Sequence, residues 1–448
     1  MSKTFRPWDV DQRWLLPLSV HEFVPAGHVA HFVRETVREH LDLSAIMAEY
    51  GEERGYPPYH PAMMVALLLY AYSQGVYSSR RIARACEERV DFMAVTALNR
   101  PDFRTVSDFR KRHLQALGAL FVQVLKLCRA AGLVQLGHVA LDGTKVQANA
   151  SKHKAMSYGR MLAAEKKLAA EVSGWFARAA AADAEEDRVH GAERRGDEMP
   201  DWVKDKQARL EKIRAARAAL EAEAKAPPPD PARGPDDDGP GPSSGMMKSG
   251  RPQRGPGGEP PDRAQRNFTD PDSRIQPTKG GVIQGYNGQI AVDGAHQVIV
   301  AQQLVTNAAD HSALVPLVGS IHATFRRNPD AVSADAGFAN EANLEALARR
   351  RIAAYVAPGR ARHGQSPGAS GRKLKPGSRL AAMAATLRRA GRRSRYRLRK
   401  QIVEPVFGQM KAARGFRQFL LRGLHNVRGE WAMLCTAHNL LKLAHANA

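Results

Sequence analysis

Residues 226–266 read "APPPDPARGPDDDGPGPSSGMMKSGRPQRGPGGEPPDRAQR", and no chain can build a core from them. So rich in proline, glycine and charge, the segment has too few apolar side chains to offset the entropy of ordering it, and disorder is expected. Just ahead of it, 161–225 is helical in pattern and heavily charged. There Val203, Leu210, Ile213, Ala216 and Leu220 recur in steps of seven, three, three and four. That spacing suits one arm of a helical hairpin, with Val172, Trp175 and Phe176 on the other. Any sheet must therefore be assembled from segments on both sides of a long interruption.

Strand patterns do lie on both sides. The apolar run 138–141 meets Asp142 and then a polar, basic stretch. Asp142-Gly143 has one plain reading as a hairpin turn, with 139–141 and 145–150 as its arms. Further on, "GYNGQIAV" and "HQVIVAQQLV" flank Asp293-Gly294 as a β-hairpin, and 312–325 reads as a helix. "DAVSADAGF" (330–338) is a strand ending at Asp335, followed by a helix at 341–351 and a strand at 352–358. This order of elements predicts a mixed α/β sheet interrupted after its first strand. Asp142 and Asp335 then take equivalent places, each at the carboxyl end of a short apolar strand, the edge where sites in open sheets gather.

Residues 1–135 read as an all-helical domain. Val29, Phe32, Val33, Val37 and Leu41 form one apolar stripe, and Pro61 opens the apolar run 62–72. In 77–98, Ser78 and Ser79 are candidate caps ahead of Arg80, Arg81 and Arg84; in 100–113, Ser107 is a candidate cap of a basic helix. Two short helices with arginines at their starts suit a helix-turn-helix, or equally a bundle with a solvated basic face. The partition expected is 1–135, a helical domain; 136–154 with 276–425, the α/β core; 155–225, a helical insertion; 226–275, a disordered linker; and 426–448, a terminal helix.

Lys and Arg outnumber Asp and Glu by 67 to 45, for a net charge of +22 and a pI near 10.2. Such a surplus points to a polyanion, nucleic acid first and an anionic membrane second. No run reaches the ~18 apolar residues needed to span a bilayer, and the N-terminal residues lack the pattern of a signal peptide. Cys86, Cys128 and Cys435 lie too far apart for a disulfide framework, and Cys435-x-x-His438 reads as core packing. A reduced, cytoplasmic location follows.

A third carboxylate stands in a basic setting. Residues 360–400 hold fourteen Lys and Arg and no acid, and from 360 to the end the only acids are Glu404 and Glu430. Lys400 and Lys411, four residues before Glu404 and seven after, fall near one helix face with it. Glu404 also precedes Pro405, as it would in the first turn of a helix. Glu430 is the rival third acid, at the entry to a terminal packing helix. Three carboxylates on one core suit Mg²⁺, with Mn²⁺ substituting, because these ions take oxygen ligands and leave positions for phosphate and water. Two such ions ~4 Å apart suit an in-line displacement at phosphorus.

Four stretches, "DGTKVQANASKHKAMSYGRM" (142–161), "YNGQIAVDGAHQVIVAQQLVTN" (286–307), "SADAGF" (333–338) and "RKQIVEPVFGQMKAARGFRQFLLRGLHNVRGEWAMLCTAHNLLKL" (399–443), resemble the DDE transposases of bacterial insertion sequences. The resemblance implies an RNase H-like core with Asp142, Asp335 and Glu404 as catalytic and metal-binding triad. The family signature spaces Tyr, two residues, Arg, three residues, Glu, six residues, Lys. Tyr396 to Arg399 and Glu404 to Lys411 fit. One residue too many separates Arg399 from Glu404, and Lys400 occupies the place expected for arginine.

By the same resemblance, Arg399, Lys400, Lys411 and Arg414 would hold phosphates of the element end. Lys145, Lys152, Lys154 and Arg160 would line the strand leaving the site, and Arg80, Arg81 and Arg84 would help read the terminal repeats. The activity implied is Mg²⁺-dependent cleavage at element ends and joining of the 3′-hydroxyl to target DNA, with no Tyr or Ser nucleophile. The protein would work on double-stranded DNA as a homodimer or higher oligomer, associated with the nucleoid. Two alternatives stand beside it: a metal-dependent nuclease without strand transfer, and an inactive DNA-binding protein derived from a mobile element.

Overall fold

The computed structural model describes residues 19–51, 58–190, 201–225, 258–278, 280–359 and 374–447. The chain divides into two units, Met1–His113 with Ala444–Ala448, and Leu114–Leu443.

The first unit is helical, with α1 (Val29–Glu39), α2 (Ser44–Met47), α3 (Pro61–Ser73), α4 (Ser79–Glu88), α5 (Val90–Thr96) and α6 (Phe103–Arg112). α3 opens on Pro61, where a missing N–H costs nothing, and His60 Nδ1 accepts from the Ala62 N–H to cap it. From Met64 onward α3 is buried on every side, and α1, α5 and α6 pack around it. The cap of α6 is Asp102, whose Oδ1 accepts from the N–H groups of Arg104 and Thr105. Ser107, expected there, lies inside the helix; only a side chain ahead of the first turn reaches its free N–H groups. Arg80, Arg81 and Arg84 are exposed on α4. α5 separates α4 from α6, so a short turn does not join the two basic helices.

In the second unit the strands are β1 (His138–Gln147), β2 (Ala155–Ser157), β3 (Gln265–Asn267), β4 (Arg274–Thr278), β5 (Gly281–Asp293), β6 (Ile299–Val305), β7 (Ala331–Ala334) and β8 (Ala353–Val356). From Leu114 onward the helices are α7 (Leu114–Ala130), α8 (Tyr158–His190), α9 (Asp201–Lys225), α10 (Leu314–Phe325), α11 (Glu341–Arg349), α12 (Arg379–Ala390), α13 (Leu398–Gly408) and α14 (Leu424–Asn447). The sheet is mixed and interrupted after β1, as the sequence predicts. β1 runs parallel to β7 and β7 to β8, while β5 is antiparallel to β1 and carries β4 and β6 on its far edge.

No turn forms at Asp142-Gly143. Both residues are inside β1, paired to Ile290 and Gln289 of β5, because the polar residues 142–147 find backbone partners along a long neighbouring strand. Asp142 is therefore not at a strand end. The parallel pairing of β1 with β7, however, stops at Leu141 opposite Ala334, so Asp142 and Asp335 leave it at one level.

Alternation sorts the rest of the sheet. Asp142, Ile290, Gly288 and Tyr286 share one face, against α13 and Trp431 of α14. Gly288 is needed there, since a Cβ on it would lie 2.7 Å from the Trp431 ring. Gly143, Lys145, Asn287 and Gln289 share the opposite face.

The insertion is a hairpin of α8 and α9, laced by Glu171–Lys206 and by Glu165 with Arg214 and Arg217. Val203, Leu210, Ile213, Ala216 and Leu220 are all buried, the last three packed with Tyr158, Met161 and Ala264. β2 and β3 pair across its base. Buried Glu223 accepts from Arg266 and, at 2.8 Å, from Arg274 Nη2, fastening α9 to β3 and β4. Of the expected linker 226–275, residues 226–257 lie outside the described residues. Residues 258–275 hold β3 and the start of β4, because their charges are matched and their backbone is paired. The three cysteines are free and buried, and among the described residues no helix is long and apolar enough to cross a membrane.

Candidate active site

Asp142 sits under α13. Its Oδ2 accepts from Arg399 Nη1 at 2.6 Å, and its Oδ1 from the N–H of Gly143 at 2.9 Å. Burial pushes this carboxyl up to about 6; Arg399 works against the shift and the nearby Asp335 charge adds to it. In the same pair Arg399 is held above its ordinary value, because Asp142, Tyr396 and Asp335 outweigh its burial. The Arg399 guanidinium lies 6.0 Å from the centre of the Tyr396 ring. Arg399 is thus buried against Asp142, while Lys400 beside it is exposed.

Asp335 caps the short 3₁₀ turn Ala336–Phe338, its Oδ1 accepting from the Gly337 N–H at 2.8 Å. On the opposite face of β1, Lys145 Nζ donates to Ala308 O at 2.6 Å and contacts Asp310 Oδ1 at 3.4 Å. Burial pulls the Lys145 ammonium below its ordinary value, against the attraction of Asp310, Asp335 and Asp142. Asp310 is a site residue that sequence reasoning missed. Its Oδ1 also accepts from Asn287 Nδ2 at 2.7 Å and Gln289 Nε2 at 2.6 Å. A Cβ on Gly143 would lie 2.8 Å from Asp310 Oδ1; one on Gly337 would lie 2.8 Å from Asp310 Oδ2 and 3.0 Å from Asp335 Oδ1. The two glycines leave the room that the two carboxylates share. The signal was available: β6 runs parallel to β1, and Asp310 follows its carboxyl end.

Glu404 is not gathered with these groups. It lies on the exposed side of α13 and, among the described residues, makes no ion pair. Pro405 is inside α13 and not in its first turn, and it cannot donate to the Gln401 carbonyl; Gln297 Nε2 does so instead, at 3.1 Å. After α13 the chain widens into a π-turn at Gln409–Ala413, which carries Lys411 Nζ to within 2.5 Å of Lys145 O. Burial, then the charges of Arg417 and Lys145, pull the Lys411 ammonium down to about 8. Arg414 turns toward His438, its Nη2 lying 3.1 Å from Nδ1. Glu430, the rival acid, is buried in the core and accepts from the N–H groups of Leu420 and Leu421.

Two level carboxylates, one kept from full acidity by burial and by the other, are an oxygen donor set of the kind Mg²⁺ and Mn²⁺ take. No third carboxylate, histidine or cysteine comes close enough to complete a metal site among the described residues. Arg399 bonds Asp142, and Lys145, from the other face of β1, feels the charge of both carboxylates; cations of this kind suit phosphate.

Comparison with known families accounts for both halves of the chain. A transposase domain (DUF772) model matches residues 18–112, and a transposase DDE domain model matches residues 259–440, a span that includes Asp310, Asp335 and Glu404. No curated protein and no solved structure matches. The helical N-terminal unit, the interrupted mixed sheet and the two family matches agree, and the chain belongs to the DDE transposases of insertion sequences.

Proposed function

We propose that this transposase cuts DNA at the ends of its element and joins the freed 3′-hydroxyl to target DNA. The observation that carries the reading is the β1–β7 register, which leaves Asp142 and Asp335 side by side beneath a helix bearing Arg399. Asp142 and Asp335 would hold divalent cations, with Glu404 as the third ligand. The bound ions would supply charge neutralisation at the scissile phosphate and a more acidic attacking water.

The chain's own groups do the rest. Arg399 holds Asp142 in place and adds positive charge beside the phosphate. Lys145 and Lys411 stand at the C-terminal half of β1, where the strand leaving the site would pass. Asp310 holds Lys145 in position. Water attacks first and the DNA hydroxyl second, at one centre, so no covalent protein–DNA link is needed. Lys400, Arg414, Arg80, Arg81 and Arg84 would add contacts to the DNA backbone and ends, and two or more copies would bring the ends together.

The test is cleavage of a labelled element-end duplex with Mg²⁺ and with EDTA. Metal-dependent nicking is expected, lost in Asp142→Asn and Glu404→Gln while DNA binding stays nearly intact. Nicking that survives Glu404→Gln but is lost in Asp310→Asn would move the third ligand to Asp310. A wild type that cuts but never joins ends would favour a nuclease.

A further inference from the structure

Beyond the carboxylates, β1 does not stop at the site. Its carboxyl end runs on into an open cleft. Gln147 accepts from the Phe419 N–H at 2.8 Å and donates its own N–H to Arg417 O at 3.2 Å, extending the sheet by one bridge. Asn149 Nδ2 donates to Leu420 O at 2.7 Å, and Arg422 Nε donates to Asn149 O at 2.9 Å. Next comes the 3₁₀ turn Lys152–Lys154, capped by Ser151 and tied down by Asn267 Nδ2 on Ser151 O at 2.8 Å. Between these segments lies an open cleft lined by Lys152, His153, Lys154 and Arg422, by Gln147 and Gln418, and by apolar Val282 and Ile283. The four basic side chains are exposed. Among the described residues no carboxylate lines the cleft.

The charge, the shape and the distance agree on one occupant. Backbone bonds hold the segments that carry the basic side chains, and Arg422 is itself bonded to Asn149 O. Gln147 is five residues along β1 from Asp142, about 17 Å at ~3.4 Å per strand residue. The same length spans roughly five base pairs of duplex at ~3.4 Å of helix axis each. The basic side chains and amides of the cleft offer donors for phosphate oxygens, its apolar residues suit the sugar edges between them, and the two glutamines add no charge that would repel phosphate.

We propose that this cleft is a second DNA site, holding the sugar–phosphate backbone of the element-end duplex about five base pairs along the duplex from the bond that is cut, at ~3.4 Å of axis per pair. It rests on the reading of the chain as an end-cutting transposase. It separates two tasks along one strand: chemistry where the parallel pairing ends, and grip where β1 ends.

The experiment compares the wild type with Lys152→Ala/Lys154→Ala/Arg422→Ala on an element-end duplex, by affinity against salt and by a scan of single neutral methylphosphonates. The double variant Lys152→Glu/Lys154→Glu leaves Arg422 and its bond to Asn149 in place, as a control for folding, with thermal melts of both. The triple variant should bind less tightly, its salt slope shallower by up to about 2.7 at ~0.9 per phosphate released. Neutral phosphates four to six base pairs from the cut, scanned on either strand, should weaken the wild type and not the variant, and a duplex ending three base pairs from the cut should bind both alike. A folded variant with the wild-type salt slope and the wild-type scan overturns the cleft site while cutting by the wild type upholds the transposase reading. A wild type that neither binds nor cuts the duplex overturns both.

Discussion

Arg399 and Asp142 are the pair on which the site turns. Arg399→Met would leave a buried carboxylate without its cation, at a cost of about 3–5 kcal/mol at pH 7, read by urea melts. The penalty should fade as pH drops and Asp142 takes up a proton. In the wild type the fold raises the Asp142 pKa to about 6, so it favours the protonated acid. The stability this group contributes is fullest below about pH 4 and is lost as pH rises to about 6. Melts of wild type against Asp142→Asn should show that loss between those limits and a constant difference above them. Metal-dependent cleavage should run the other way and fall as pH drops through 6. Asp142 and Asp335 were legible in the sequence because an apolar run stops at each. Asp310 was not read, although it follows a strand parallel to β1, because no apolar run stops at it: residues 306–309 separate it from β6, and its contacts arise only when β5 presents Asn287 and Gln289. The choice of Arg399 over Lys400 was equally hidden, because it depends on which side of α13 faces the sheet.

At the level of elements, the hairpin of α8 and α9 was legible from the spacing of its apolar residues, and the strands flanking Asp293-Gly294 from their turn. The base of the insertion was not. Arg266 and Arg274 look like linker charge until Glu223 is seen buried between them. Glu223→Ala should leave buried Arg274 and partly buried Arg266 without their carboxylate and cost about 3–5 kcal/mol, with protease cleavage near 258–275 appearing before the sheet is lost. Gly288→Ala tests the packing of α14 on β5. Its Cβ would overlap the Trp431 ring at 2.7 Å, so a loss of about 1–3 kcal/mol is expected, with a shift in tryptophan fluorescence and partial relief by Trp431→Phe.

Over the whole molecule, the surplus of 67 basic residues over 45 acidic ones is a statement about partners and not about fold. Affinity for DNA should fall steeply and linearly in log salt, by ~0.9 per neutralised phosphate; a flat dependence would remove the electrostatic basis of the proposed function. The interruption between β1 and β5 carries a different lesson, one about the order in which the chain becomes a protein. β1 must wait for a partner that begins at Gly281, and bringing such distant strands together is slow because the loop must be closed before any contact rewards it. The insertion removes much of that delay. Once α8 and α9 zip together locally and β2 meets β3, the ends of the interruption are already neighbours, and only the short spans 148–154 and 268–273 remain to be closed. The segment that divides the catalytic sheet in sequence is thus the clasp that lets it assemble.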